Sequence, residues 1–368
     1  MRPSTLRRLA GALILLPLLP LAGCDTGGSG AETTVTVMTR NLYLGGDLFA
    51  LLAPECKGDA VAGCVAALYF GDVVGSDIPG RLAAVAEEIA ANDPDLIGLQ
   101  EVSLYRTDPS DFIKGVTEPN ATTVTFDFLQ ILLDALDARG LDYVVAATNT
   151  NADVEFPATT DGVTFTDVRL TDRDVILARA GLQTDVLFEA NFSPLITAVL
   201  EVGGVEVPFT RGYSAVEVMK DGVAFTFANV HLEVGGEAAP AQRAQAANLA
   251  SSAVLGDVEP LIILGDFNAD PDPEDTADEE DAYDTLVAAF DDAWAELRTG
   301  TSGFTCCQDA DLANDTSLLD SRIDLVLYDG NVRPVSIGVV GDDPADRTET
   351  GLWPSDHAGV VATLIVED

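Results

Sequence analysis

Leu261-Ile-Ile-Leu-Gly265-Asp266-Phe267-Asn268 runs four apolar residues into a glycine, then presents a carboxylate and, two residues on, a carboxamide. A short unbroken apolar run of this kind is a strand buried on both faces, so Asp266 and Asn268 stand at its C-terminal end. The same pattern recurs along the chain. Thr34-Val-Thr-Val-Met-Thr39 alternates as a half-buried strand does and leads to Asn41, while Asp95-Leu-Ile-Gly-Leu-Gln100 leads to Glu101. Phe225-Thr-Phe-Ala-Asn-Val-His231 ends on one of only two histidines, and the other lies in Pro354-Ser355-Asp356-His357, just before the strand Ala358 to Val366. Each of these groups alone would read as a hydrogen-bonded structural residue. Five strand ends with such groups predict one site gathered at a common rim.

Between these strands the apolar positions Leu82, Val85, Ala86 and Ile89 fall at helical spacing, and Asn92-Asp93-Pro94 ends that helix. Further helices are predicted over Phe126 to Arg139, Pro240 to Leu255 and near Asp281 to Phe290. Strands are predicted at Tyr143 to Ala146, Val163 to Val168, Asp174 to Ala178, Leu195 to Val202, Ala215 to Met219, Val223 to Val230 and Ser321 to Tyr328. Lys220-Asp221-Gly222 reads as a hairpin turn. The segments 103 to 125 and 146 to 172 read as loops. Strands interspersed with helices, and polar residues at strand ends, predict two packed sheets covered by helices.

The N-terminus carries Arg2, Arg7 and Arg8, an apolar stretch from Leu9 to Leu21, and Leu21-Ala22-Gly23-Cys24. A basic region, a short apolar region and small residues describe an export signal too short to span a bilayer comfortably. Leu-Ala-Gly-Cys resembles a bacterial lipobox, which implies lipidation of Cys24 and a membrane anchor at the cell envelope. Asp25 resembles the inner-membrane retention signal of some Gram-negative bacteria. Residues 1 to 24 are therefore assigned to the signal and residues 25 to 33 to a Gly-rich tether. Residues 34 to 368 form one domain and are expected to be monomeric.

With 61 acidic and 19 basic residues the chain carries a net charge of -42, and only Lys57, Lys114 and Lys220 are lysines. Such a surface attracts cations and repels polyanions, so it disfavours a nucleic-acid partner. The carboxylate-rich stretch Asp270 to Asp281 lacks the spacing of an EF-hand and reads as a solvated loop. Beyond Cys24 there are Cys56, Cys64, Cys306 and Cys307, an even number in an exported chain, hence disulfides. Cys56 with Cys64 leaves a vicinal pair; two bridges between the loops are the alternative.

Asn41-Leu42, Leu99-Gln100-Glu101-Val102, Asn229-Val-His231-Leu232, Gly265-Asp266-Phe267-Asn268, Arg322-Ile323-Asp324 and Ser355-Asp356-His357 appear in this order. Together they resemble the endonuclease/exonuclease/phosphatase superfamily, over residues 35 to 366. The resemblance implies an α/β fold, a four-layered α-β-β-α sandwich of two mostly antiparallel sheets flanked by helices. It also implies a divalent cation, Mg2+ or else Mn2+ or Ca2+, with Glu101 as principal ligand and Asn41 and Asp356 completing its shell. By the same resemblance Asp266 orients or deprotonates water, Asn268 bonds a phosphate oxygen, Asp324 holds His357, and His231 protonates the leaving oxygen. Deoxyribonuclease, sphingomyelinase and inositol-phosphatase branches share a histidine at the position of His231, whereas exonuclease III-like repair enzymes do not.

In so acidic a chain, Arg211 and Arg322 are candidates to clamp a phosphate, with Arg173 a weaker one. The expected function is a metal-dependent phosphoesterase acting on a small or lipid phosphodiester outside the cytoplasm. A surface nuclease and a non-catalytic binding lipoprotein are the alternatives.

Overall fold

The computed structural model describes residues 30–110, 119–193, 199–202, 205–251, 255, 259–271 and 281–368. The expected signal segment with Cys24 and most of the acidic stretch after Asp270 lie outside them. Residues 31 to 368 form one compact unit. Among the described residues no single helix is long and apolar enough to cross a membrane.

In chain order the strands are β1 (Glu32–Asn41), β2 (Leu96–Gln100), β3 (Leu104–Pro109), β4 (Thr123–Asp127), β5 (Tyr143–Ala158), β6 (Thr166–Arg179), β7 (Gln183–Asn191), β8 (Val199–Val202) and β9 (Val205–Pro208). They continue with β10 (Gly212–Lys220), β11 (Val223–His231), β12 (Leu261–Asp266), β13 (Asp291–Asp292), β14 (Asp324–Asp329), β15 (Val332–Val340) and β16 (Gly359–Glu367). The helices are α1 (Val61–Ala66), α2 (Ile78–Asn92), α3 (Phe128–Asp137), α4 (Ala239–Ala250), α5 (Ala282–Val287) and α6 (Ala293–Leu297). One sheet has the order β15-β16-β1-β2-β6-β3-β4, with β5 also on β6; the other has the order β13-β14-β12-β11-β10-β7. Only β1–β2 and β11–β12 run parallel within them, so both sheets are mostly antiparallel.

Three apolar clusters make the layers. Val35, Val37, Leu96 and Ile176 meet Phe225, Phe227, Ile262 and Leu264 between the sheets. Met38, Ile97 and Leu99 on the other face of the first sheet pack on Leu82, Val85 and Ile89 of α2 and Leu132 of α3. Ala228, Val230 and Ile263 on the outer face of the second pack on Leu249 of α4 and Leu286 of α5. The result is the α-β-β-α sandwich that period-2 alternation on each strand requires.

The sheets touch closely at Gly98, where a Cβ would stand 2.3 Å from Leu264 Cδ1 and 2.6 Å from Asn229 Oδ1. Asn229 bridges the sheets there: its Nδ2 donates to Leu99 O at 3.0 Å and its Oδ1 accepts from Gln100 Nε2 at 2.7 Å. A side chain at position 98 would break this bridge, so the glycine is required by approach rather than by backbone angle.

Several expectations change. β1 begins at Glu32, paired with Glu367, two residues before the expected boundary. The segment 146 to 172 is not a loop; it lies largely in the long β5–β6 hairpin. The segment 103 to 125 contributes β3 and part of β4. Leu48 to Val73, with no predicted element, forms short helical turns that include α1 and a π-helical continuation from Ala67 to Val73. Cys56 and Cys64 are bridged, with Cα atoms 5.8 Å apart, and Cys306 and Cys307 pair with each other.

Candidate active site

Strand register brings the motifs together. Asn41 pairs with Gln100 across β1–β2, which sets Asn41 beside Glu101. In the second sheet His231 pairs with Asp266, Asp266 with Asp324, and Gly212 with His231, so Arg211 follows at the same rim. Asp356 and His357 precede β16, which runs along β1, and Ser355 Oγ donates to Asn41 O at 2.8 Å. Three residues at this rim, Tyr43, Glu101 and Asn268, have φ between 50° and 56°, a left-handed conformation that costs a non-glycine residue about 1 kcal/mol or more and clusters at functional sites.

α2 braces the rim from behind. Arg81 is wholly buried, and its guanidinium donates to the carbonyls of Leu42 at 3.0 Å, Tyr43 at 3.2 Å, Pro354 at 3.3 Å and Ser76 at 2.9 Å. Arg40 pairs with Glu88 of α2 and also donates to the carbonyl of His357. Two buried cations thus hold the loops on which Asn41, Asp356 and His357 sit.

Asp266 is the hub. Its Oδ2 accepts from Asn41 Nδ2 at 3.1 Å and lies 3.6 Å from His231 Nε2 and 3.9 Å from His357 Nε2; its Oδ1 accepts from the Asn268 amide at 2.9 Å. His357 Nδ1 and Asp324 Oδ2 are 2.9 Å apart, and Asp324 is fixed by Thr305 Oγ1, which accepts the amides of Ile323 and Asp324. Burial opposes a charge on His357, but Asp324, Asp266 and Asp356 outweigh it and raise its pKa well above the ordinary histidine value.

His231 is fully buried between Arg211 and Asp174. Arg211 Nη1 lies 2.9 Å from Nε2, and Asp174 Oδ1 lies 3.3 Å from Nδ1. A guanidinium can only donate, so Nε2 accepts and the ring proton sits on Nδ1, toward Asp174. Burial and the Arg211 charge push this histidine down to about 4. As placed, Nε2 is engaged by Arg211, where the resemblance expects His231 to protonate the leaving oxygen.

Asp172 and Asp174 have no place in the motif reading. Arg173, the weaker phosphate candidate, lies between them, yet on β6 the two carboxylates face inward while Arg173 faces outward to Asp127, 2.7 Å away. Asn151 Nδ2 donates to both, at 3.1 and 2.8 Å. Burial, then Asp174 and Glu101, pushes Asp172 up to about 8, and burial pushes Asp174 up to about 7. Val168, Leu170, Asp172 and Asp174 stand at i, i+2 spacing and are all buried, so the two carboxylates continue the inward face begun by two apolar residues.

The rim opens into a cleft of about 220 Å³ lined by Glu101, Asp356, Arg211, Glu233, Tyr43 and Phe209, among others. Glu101 Oε2 accepts from the Leu44 amide at 2.8 Å. Burial, then the Asp356 charge, raises the Glu101 carboxyl; burial raises that of Asp356 against His357 and Arg81. Two half-buried carboxylates and the Asn41 carbonyl oxygen are hard donors, and a divalent cation between them would relieve the repulsion that raises Glu101. The residues fit such an ion. Among the described residues, the His, Cys, Asp and Glu groups whose ligand atoms lie within 4.8 Å of one another are Asp266, Asp324 and His357, and Cys306, Cys307 and His357.

Arg211 lines the cleft, with Nε 3.7 Å from Glu233 Oε1 and making no hydrogen bond of its own. Arg322 is placed differently from the expectation. Its guanidinium donates to Asp292 at 2.8 Å and to the Tyr283 hydroxyl at 3.3 Å, and stacks on that ring, so it braces α5 and β13 and is not among the residues lining the cleft. Asn268 Nδ2 donates to Leu232 O at 3.0 Å.

A family model described as the endonuclease/exonuclease/phosphatase family matches residues 70–357. Similar solved structures include a family protein from Bacteroides thetaiotaomicron, 20% identical with a TM-score of 0.54, covering 92% of this chain and 97% of that one. One from Beutenbergia cavernae is 19% identical, TM-score 0.54, covering 91% and 72%; one from Leptotrichia buccalis is 15% identical, TM-score 0.50, covering 89% and 98%. At such identities they show the fold alone. No curated protein matches the chain. With the motifs in order, the rim assembled and the family model spanning most of its length, the chain belongs to the endonuclease/exonuclease/phosphatase family.

Proposed function

We propose that this chain is a metal-dependent phosphodiesterase acting on a small or lipid phosphodiester outside the cytoplasm, as a monomer anchored through a lipid on Cys24. The observation that carries the reading is that Glu101, Asp356 and Arg211 line one cleft, while Asn41, Asp266, His357 and Asp324 form a contiguous contact chain at the same rim. Glu101, Asp356 and the Asn41 carbonyl oxygen would hold Mg2+ or a similar ion. When bound, that ion supplies Lewis-acid polarisation of a phosphoryl oxygen.

The chain's own residues do the remainder. Asp266, held by Asn41 Nδ2 and the Asn268 amide, orients a water and accepts its proton. His357, kept charged between Asp324 and Asp266, holds the mobile proton. Arg211, steadied by His231 and Glu233, presents its guanidinium to the phosphate from the cleft wall. Asp174 fixes the tautomer that makes His231 an acceptor for Arg211. The net charge of -42 favours a substrate that needs few phosphate contacts over duplex DNA.

The test is turnover of DNA, sphingomyelin, phosphoinositides and a bis-aryl phosphate with magnesium or with excess chelator. Cation-dependent cleavage of a phosphodiester other than DNA is expected, with Glu101→Gln shifting the cation requirement. Full activity in chelator sinks the metal reading. Nicking of plasmid DNA at trace enzyme, with the other substrates ignored, replaces the substrate reading by a nuclease.

A further inference from the structure

A second cavity of about 60 Å³ adjoins the catalytic cleft, and Leu48 and Phe209 line both. Its floor is made of two cross-strand pairs of the β5–β6 hairpin, Val154 with Leu170 and Phe156 with Val168. Helical turns between Leu48 and Val73 cover it. On β6 the buried positions Val168, Leu170, Asp172 and Asp174 share one face, so chamber and catalytic cluster are consecutive stations on a single strand, about 7 Å apart per two residues.

The chamber's wall is almost wholly apolar. The hydroxyls of its two phenols are already engaged: Tyr69 OH donates to Thr125 Oγ1 at 2.7 Å, and Tyr105 OH donates to Leu44 O at 3.0 Å. A buried water needs two to four polar partners, and this wall supplies almost none, so water is a poor occupant. The second of these bonds also ties the chamber to the chemistry, because the amide of the same Leu44 donates to Glu101 Oε2 at 2.8 Å.

We infer that the chamber takes the hydrocarbon end of a phosphoester whose phosphate lies in the adjacent cleft. This rests on the phosphodiesterase reading and narrows its substrate to an ester that carries an unbranched alkyl or acyl tail. A space of roughly 10–15 Å³ takes one water-sized group, so the chamber grips about four to six carbon atoms, and a longer tail leaves through the open side. Nothing in it would select a sugar or a base, both of which need hydrogen-bond partners.

A series of alkyl p-nitrophenyl phosphodiesters from methyl to octyl, assayed with magnesium, reads this directly. We expect kcat/KM to rise roughly fourfold per methylene through about four to six carbons and then level. Val154→Phe fills the floor and flattens the series relative to its own methyl ester; Leu170→Phe, its cross-strand partner, serves where the first does not fold. A flat series in the unaltered chain overturns the chamber while leaving the phosphodiesterase reading intact. If no ester is turned over, that reading fails, and thermal shift by hexyl against methyl phosphate still decides the chamber: greater stabilisation by hexyl phosphate that Val154→Phe abolishes supports it, and equal stabilisation overturns it.

Discussion

His231 and His357 have opposite protonation preferences although both are buried. His231 accepts from a fixed cation, while His357 sits among three carboxylates. Both contribute to one hub, so His231→Ala and His357→Ala are each expected to lower kcat by at least about a hundredfold, the scale of a lost acid–base or charge-positioning group. The double variant is expected to be little worse than the poorer single one, since groups that act as a unit are not additive. Retained melting temperatures with lost turnover support this; matched losses of stability in both variants point to structural roles instead. Asp172 and Asp174 make a separate claim about pH. Pushed up to about 8 and about 7, they hold protons that the unfolded chain releases near pH ~3.9, so stability falls as pH rises through that window. His231, pushed down to about 4, slopes the other way only below its unfolded value near ~6.5. Above that value, the cation-free protein is expected to melt at progressively lower temperature toward pH ~8, and Asp172→Asn to flatten the decline. Equal slopes for the two proteins in chelator would remove Asp172 as a cause.

At the scale of elements, the site depends on two sheets held at a fixed spacing. Gly98→Ala would drive a Cβ into Leu264 and Asn229, and Asn229 cannot yield because its amide bridges Leu99 and Gln100. A cost of about 2 kcal/mol, within the usual range for overpacking, and a weaker cation response through Glu101 are expected. Urea denaturation checks the first, and an unchanged midpoint shows that the sheets can part. The elements also mark what the sequence could and could not convey. β12, β11 and β2 are apolar runs ending in a polar residue, and their packing follows from that pattern alone. β5 was not legible past Ala146 because Asn149, Asn151 and Glu155 sit in it as buried polar groups. Asn149 donates to Asn151 on the same strand, and the partners of the other two come from elsewhere: Asn151 serves Asp172 and Asp174, and Glu155 accepts the amides of Asn120 and Ala121. Arg322 misled for the related reason that its partner, Asp292, lies thirty residues upstream and only folding brings the two together.

For the whole molecule, what matters is how the first and last strands close the first sheet. β1 lies antiparallel to β16, Glu32 faces Glu367, and the amide of Asp368 donates to Ala31 O at 2.9 Å. β1 then runs ten residues to Asn41, so this join stands roughly 30 Å from the rim. Residues 31 to 368 therefore trace a nearly closed circuit whose seam is remote from the chemistry. A circular permutant that joins Asp368 to Ala31 through a short Gly-Ser linker and reopens at Gly162, in the exposed turn between β5 and β6, is expected to fold and to keep cation-dependent turnover. Circular dichroism with the bis-aryl phosphate assay checks it; a folded but inactive permutant would show that the seam and the rim communicate. On this view what makes the rim is which strands pair, and the order in which Asn41, Glu101, His231, Asp266, Asp324 and His357 follow one another along the chain is secondary to that pairing.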